Sequence, residues 1–444
     1  MKKQILFLCD ASDIDVVEQS FAGNADYELT IETSERIMQF GVSQYLAQTI
    51  ERILNNPEMY DGIVGTHDSS AVFAAVIAEA TGHRFAPVSA IINCQNKYLC
   101  RRIQKAVIPE YTPNYAIALD YLRDPSRLST PFFIKPARAN ISFGSHKIEH
   151  PDQLDYFIAL ESMDIAHFNQ HYTDALFISQ SGYNALNVAT CNSFLCEGLI
   201  EGTQVTIDGY VFEGEVFFFG ATRAVYHPGT NSFYYHTFPH RFSGRLQEKI
   251  EAALKKLIPV LGIDNSFFNV ELRADETADT FTIIEINGRI AFQFAKTIES
   301  VTGVDPLHML CDVATGIKPI TPQIHERIFE HCYNFELHHF NDAVILETPT
   351  QSAFAEIRMK YPEIHTRNLI HENASLSDFR HNPESYRYCV IDIPGNEHEE
   401  IMAKYDDVVS ILGYKFSASI NEIGKPDVTQ KTPPDRTVTE KHEV

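Results

Sequence analysis

The chain has no Cys-x-x-Cys pair, no Cys/His spacing of a zinc module, no apolar run of membrane-spanning length and no glycine loop after its first strand. Each absence excludes something. The eight cysteines, scattered from Cys9 to Cys389, suit neither a disulfide framework nor a zinc module and read as buried small hydrophobes of a reducing compartment. The longest apolar stretch, Ala71 to Ala80, is broken by Glu79 and falls far short of the ~20 residues a spanning helix needs. The apolar run Ile5 to Leu8 after Met1-Lys2-Lys3-Gln4 is too short for a secretory signal, so the expected location is the cytoplasm. Basic side chains are scarce, 36 against 59 acidic ones, a net charge of −23 that the nineteen histidines could not cancel. A dedicated nucleic-acid binder or a protein that docks on anionic membranes needs the opposite balance. Glycine and proline, 21 each, are too few for a low-complexity chain. Leu8-Cys9-Asp10-Ala11 carries no dinucleotide fingerprint, which argues against a nicotinamide site.

What is present is an ordered alternation. Strand and helix patterns succeed one another over the first ninety-odd residues: strands at Ile5–Cys9, Tyr27–Ile31 and 61–66, helices at Ile14–Ser20, Val42–Leu54 and Ala71–Thr81, the last stopped by Gly82. Alternation of this kind predicts a parallel, Rossmann-like sheet. A basic helix, Asn96 to Val107, follows, and then a strand-rich region to about 320 with helices near 151–161, 245–261 and 291–298. Pro319 and Pro322 mark a boundary before a small α+β region. The expected units are 1–95, 96–322 and 323–424, with 425–444 an aperiodic tail read as disordered.

Four segments carry chemistry. Pro131-Phe132-Phe133-Ile134-Lys135-Pro136 ends an apolar strand on a lysine fixed by proline, and Asn140-Ile141-Ser142-Phe143-Gly144-Ser145 is a small polar turn able to offer N–H groups to phosphate. Glu197-Gly198-Leu199-Ile200 ends another strand, with Gln204 beyond it. Phe267 to Leu272 and Phe281 to Arg289 read as a hairpin joined through Arg273–Thr280. Strand alternation puts Glu285 and Asn287 on one face, with Glu271 across the hairpin and Arg289 two positions on. Two carboxylates and an amide oxygen suit Mg²⁺, and the arginine fork suits phosphate or carboxylate. The fourth is Lys97, in the basic helix. Taken singly, a lysine, a polar turn or a basic helix has an ordinary surface explanation. The order of the four is what is specific.

In that order the segments resemble the ATP-grasp superfamily over roughly residues 60–320. The resemblance implies an ATP-grasp fold, α/β and α+β, with an N-terminal Rossmann-like domain and a small C-terminal α+β domain. It implies Lys97 and Lys135 as nucleotide lysines, Ser142 and Gly144 in the phosphate loop, Glu197, Gly198, Leu199 and Ile200 as the adenine hinge and Gln204 as a ribose contact. It further implies Glu271, Glu285 and Asn287 as Mg²⁺ ligands, with Mn²⁺ a substitute, and Arg289 as the catalytic arginine. His236, about fifty residues before that arginine, matches a catalytic histidine, with His227 close enough to compete. Two departures bear on substrate identity: Arg289 is followed by Ile290-Ala291-Phe292-Gln293 rather than a double glycine, and Gly144 is alone in its loop.

The likeness is greatest to carboxylate–amine ligases, including L-amino acid ligases and biotin carboxylase-like enzymes. It implies ATP-dependent joining of a small-molecule carboxylate to an amine through an acyl phosphate, with release of ADP and phosphate. The 140–145 turn and the 227–240 segment are then expected to close over the intermediate. A homodimer is compatible with the resemblance. A bicarbonate-activating enzyme, a kinase or mutase, and a nucleotide-binding regulator without turnover remain open alternatives.

Overall fold

The computed structural model describes residues 1–139, 143–185, 192–242, 244–322, 328–379 and 385–418, with only the backbone considered at 183–185. Ser142 and the expected tail 425–444 lie outside the described residues. Among those described, no helix is long and apolar enough to cross a membrane.

The N-terminal strands β1 (Lys3–Cys9), β2 (Tyr27–Thr33) and β3 (Gly62–Gly65) form a parallel sheet in the order β2-β1-β3. Alternation along β1 divides its side chains between two cores. Ile5, Phe7 and Cys9 pack with the segment from Ile290 to Ala314, whereas Leu6 and Leu8 pack with the helices Val42–Asn55 and Asp68–Thr81. The latter helix is apolar nearly all round because it is covered on most sides, and it ends on Gly82 in the left-handed region at φ +78°.

A second sheet, antiparallel and four-stranded, has the order β4-β7-β5-β6 from β4 (Tyr115–Ile117), β5 (Phe132–Pro136), β6 (His146–Ile148) and β7 (Phe194–Gly198). Between β6 and β7 the chain forms helices at Gln153–Phe168, Gln170–Leu176 and Gln180–Ala185, where sequence reading anticipated one short helix.

The third sheet has eight strands. These are β8 (Thr203–Phe212), β9 (Glu215–Tyr226), β10 (Phe233–His240), β11 (Ser266–Asp275), β12 (Thr280–Asn287), β13 (His331–His339), β15 (His365–Asn368) and β16 (Tyr386–Gly395), with β14 (Ile345–Glu347) and β17 (Lys415–Phe416) pairing separately. Its order is β12-β11-β8-β9-β10-β13-β16-β15, so the sheet runs on past residue 322 into the C-terminal region. The joint is the β10–β13 pair, in which His236 faces Asn334 and Phe238 faces Cys332. The helix Gly244–Leu261 closes one face with Leu246, Ile250, Leu254, Leu257 and Leu261, an i, i+4, i+8 stripe.

Candidate active site

The helix Lys97–Val107 opens on Asn96, whose side chain accepts the N–H groups of Tyr98 and Leu99. The backbone N–H of Lys97 donates to the Ala137 carbonyl at 2.7 Å, which ties the helix start to the segment after β5. Lys97 and Arg101, one turn apart, share a face. Lys97 Nζ lies 2.9 Å from Glu285 Oε1 on β12 and also donates to the Ala139 carbonyl. Arg101 Nε lies 2.6 Å from Glu197 Oε1, and Lys135 Nζ pairs with the other oxygen of Glu197. Burial alone would raise the Glu197 carboxyl, but the Arg101 and Lys135 charges outweigh it and pull it down to about 2. Burial also holds the Lys135 ammonium below its ordinary range, against the pull of Glu197. This buried triad joins the basic helix to two strands of the four-stranded sheet.

On the eight-stranded sheet, Glu271 faces Glu285 and Asn269 faces Asn287 across the β11–β12 pair. Gln204 on β8 donates to Glu271 Oε2 at 3.2 Å and accepts from the Tyr226 hydroxyl. Burial drives the Glu271 carboxyl well above its ordinary range, with Glu285 adding to the rise and Arg289, Lys97 and Lys135 opposing it. Two facing carboxylates beside an amide are hard oxygen donors that a divalent cation would relieve, so the residues fit Mg²⁺. Among the described residues no cluster of three or more His, Cys, Asp or Glu forms a metal cage. An incomplete donor set is what Mg²⁺ prefers, since it keeps waters and takes substrate phosphates.

Arg289 follows directly from the hairpin. Its Nε donates to Asp68 Oδ1 at 2.9 Å and its fork to the Ile290 carbonyl at 3.1 Å. Asp68 begins the helix Asp68–Thr81, so a carboxylate of the N-terminal sheet's helix orients the guanidinium. Burial works against the Arg289 charge, but Asp68 and the Glu271/Glu285 pair more than restore it. A cleft opens here, bounded by Asp68, Gln95, Arg138, Phe168, Glu285 and Asn287. Arg138 donates to Gln95 and Asn169 and lies 3.9 Å over the Tyr172 ring. The lysines thus come from the basic helix and the four-stranded sheet, the carboxylate pair from one hairpin of the eight-stranded sheet, the arginine fork from just past it, and Asp68 from the start of a helix of the N-terminal region.

The ATP-grasp domain model matches residues 128–297. Residues 128–297 form an ATP-grasp domain. No curated protein sequence matches the chain. Among solved structures, an L-amino acid ligase from Bacillus licheniformis is 16% identical, covers 94% of this chain and 99% of its own, and superposes with a TM-score of 0.69. A phosphoribosylglycinamide synthetase from Anaerococcus prevotii is 14% identical over 94% and 100%, at 0.61. The biotin carboxylase domain of a Hydrogenobacter thermophilus 2-oxoglutarate carboxylase, solved with MgADP and bicarbonate, is 14% identical over 94% and 91%, at 0.64. At these identities the likeness is one of fold, and the ATP-grasp fold is the α/β and α+β architecture that the sequence predicts.

Within the ATP-grasp domain, Lys135, Glu197, Glu271, Glu285 and Asn287 stand on strands, and Lys97 reaches them from the preceding helix. Gly198 ends β7, its N–H bonded to the Asn114 carbonyl at 3.0 Å, while Leu199 and Ile200 lie between β7 and β8. Gly144 sits at φ +64°, where a Cβ would meet the Pro136 ring at 2.9 Å, so the turn needs glycine. The side chain of Glu197, the first residue of the expected hinge, pairs with Arg101 and Lys135.

Two expectations come out differently. Most of the 227–240 segment is not a loop: residues 233–240 are β10, inside the sheet between β9 and β13, and only 227–232 form the turn that joins β9 to β10. His236, on that strand, is buried, its Nδ1 3.7 Å from Glu336 Oε1. Burial pushes its imidazole down to about 4 despite the glutamate. Glu336 also pairs with Arg387 and His338, and His338 bonds Ser385, which bonds Ser232, so this network links β10, β13 and β16. His227 packs by its ring against Tyr234 and His338 at the same end. No described hydrogen bond or ion pair joins either histidine to Arg289 or the carboxylate pair. Sequence reading assigned no individual role to Asp68, Gln95, Arg101 or Arg138. Only Arg101 left a usable signal, its i+4 spacing from Lys97.

Proposed function

We propose that the protein is an ATP-dependent carboxylate–amine ligase that forms an amide or peptide bond through an acyl phosphate. The observation that carries this is the joining of Glu271, Glu285 and Asn287 on one hairpin with Lys97, which pairs with Glu285, and with an Arg289 held by Asp68, beside a cleft that Asp68, Glu285 and Asn287 line. Glu271, Glu285 and Asn287 would hold Mg²⁺, which supplies positive charge to the ATP phosphates when bound. Lys97 and Lys135 offset the remaining phosphate charge, and the backbone of Gly198 to Ile200 borders the base.

In the first half-reaction an oxygen of the substrate carboxylate attacks the γ-phosphorus, the bond to ADP breaks, and an acyl phosphate forms. Positioning and charge stabilisation carry most of the rate in such a transfer. In the second, an uncharged amine attacks the acyl carbon, phosphate leaves, and the amine loses a proton. Arg289, fixed by Asp68, is placed to stabilise the oxyanion and the departing phosphate. A shallow depression bounded by Phe292, Gln293, Lys296, His365, Arg367 and Asp392 adjoins the segment after Arg289 and lies where a small polar second substrate would approach. That would make β15 and β16, both C-terminal, part of the substrate side.

The test is ADP and phosphate release with Mg·ATP against amino acids, singly and in pairs, with mass detection. ADP formed only with certain pairs, beside a product lighter by one water, establishes the ligase. Turnover that depends on bicarbonate instead, or a stable phosphorylated product, replaces it with the corresponding alternative.

A further inference from the structure

Asn287 ends a row of polar side chains that runs straight across three strands. Register places Asp208 on β8 beside Asn269 on β11, and Asn269 beside Asn287 on β12. All three are buried. Asn269 Nδ2 donates to Asp208 Oδ1 at 2.8 Å, and Asn287 Nδ2 donates to Asn269 Oδ1 at 3.3 Å. On its other side Asp208 faces Gly220, which has no side chain, and Asp208 Oδ2 has no hydrogen-bond partner among the described residues.

The row has a direction. An amide can turn either end toward a neighbour, but an ionised carboxylate only accepts. Asp208 at the far end therefore requires the NH₂ of Asn269. That leaves the Asn269 oxygen facing β12, where it requires the NH₂ of Asn287. The Asn287 oxygen is then the atom left for the cleft it shares with Glu285. We infer that Asp208 and Asn269 are positioning residues that fix the orientation of the Asn287 amide, so that an oxygen rather than an NH₂ group is presented to a divalent cation. Neither touches the cleft. The inference rests on the proposed nucleotide–metal site.

An amide facing the wrong way puts two N–H donors toward a cation, so the orientation decides whether Asn287 attracts or repels it. Asp208→Asn keeps the shape of the side chain and removes the direction, because an amide at the far end can give or take. Adding Asn287→Asp restores direction with the opposite sense. The new amide at position 208 then donates to Asn269, Asn269 donates to the new carboxylate at position 287, and the second oxygen of that carboxylate faces the cleft.

The experiment is calorimetric titration of the full-length protein with ADP, in saturating Mg²⁺ and in EDTA, at pH ~8, above the value of about 7 to which burial raises Asp208. In the wild type Mg²⁺ should tighten ADP binding. Asp208→Asn should lose that enhancement by about tenfold or more while its affinity in EDTA stays unchanged. The double variant should regain it. Asn269→Leu, which interrupts the row at its middle, should reproduce the loss and serves if Asp208→Asn does not fold. An Asp208→Asn protein with the full Mg²⁺ effect, or a double variant that does not recover, overturns the inference and leaves the ligase reading intact. A wild type with no Mg²⁺ effect on ADP overturns both.

Discussion

Arg101 and Glu197, 96 residues apart in sequence, meet at 2.6 Å and bind the basic helix to β7. Lys135 completes the triad from β5. Each partner is desolvated, so the arrangement is stable only while all three charges are present. It also fixes the two lysines of the site relative to each other, since Lys97 stands one turn before Arg101.

Glu197→Gln should therefore destabilise the protein by roughly 3–5 kcal/mol, because it leaves two buried cations without their carboxylate. Denaturant unfolding monitored by circular dichroism reads this directly. The carboxyl is held at about 2, below its ordinary value, so the stability it contributes is present above pH ~4.5 and is lost as pH falls toward that value. The variant should accordingly show a shallower loss of stability on acidification than the wild type.

Glu271 gives the opposite sign. Its carboxyl is raised by burial and by Glu285, so ionising it costs folding free energy, and the cost grows as pH rises from pH ~4.5. The melting temperature in EDTA should fall relative to that of Glu285→Gln across this range, and Mg²⁺ with ADP should restore it in the wild type alone. Equal pH profiles for the two proteins in EDTA would remove the mutual strain of the carboxylate pair. The same variant should lose ATP turnover, and undiminished turnover would remove Glu285 from the metal site.

The hairpin that carries Glu271, Glu285 and Asn287 was legible because strand alternation fixes which side chains share a face, and the two runs are adjacent in sequence. Lys135 was legible for a similar reason, a strand end followed by proline. The Asp68–Arg289 contact was not, since it joins the start of an N-terminal helix to the segment just past β12, 221 positions away. The role of β10 was misread because Ser232 to Thr237 is polar and aromatic, a pattern that fits a covering loop as well as a strand. What settles it is pairing on both edges, with β9 and with a β13 that lies about a hundred residues further on. The first helix after β6 was legible, and the two that follow it were not. The Asp208–Asn269–Asn287 row needs the register of three strands, which no local pattern contains.

His236 supplies a direct test of that reassignment. It is held neutral inside the sheet by burial, with Glu336 as its nearest charged group. His236→Gln should lower the melting temperature, since it disturbs the buried Glu336–Arg387 network, yet keep ATP turnover per folded molecule within about twofold of wild type. A folded His236→Gln protein without turnover would return the histidine to the mechanism.

Substitution of Arg289 tests whether nucleotide binding and bond formation are separable in the proposed reaction. Lysine in its place keeps one positive charge but cannot hold Asp68 and reach the reacting carbonyl with the same planar fork. ADP affinity in Mg²⁺ should change little, because the proposed nucleotide contacts are Lys97 and Lys135. The ligation rate should fall by about 100-fold, the scale on which a lost oxyanion donor acts. Asp68→Asn retains an acceptor for Nε but removes the charge that steadies the guanidinium, and should give a smaller loss in the same rate. A lysine variant that ligates normally would remove Arg289 from the chemistry. Equal losses in ADP affinity and ligation rate would instead place the arginine on the nucleotide, with the acyl phosphate stabilised by other groups of the cleft.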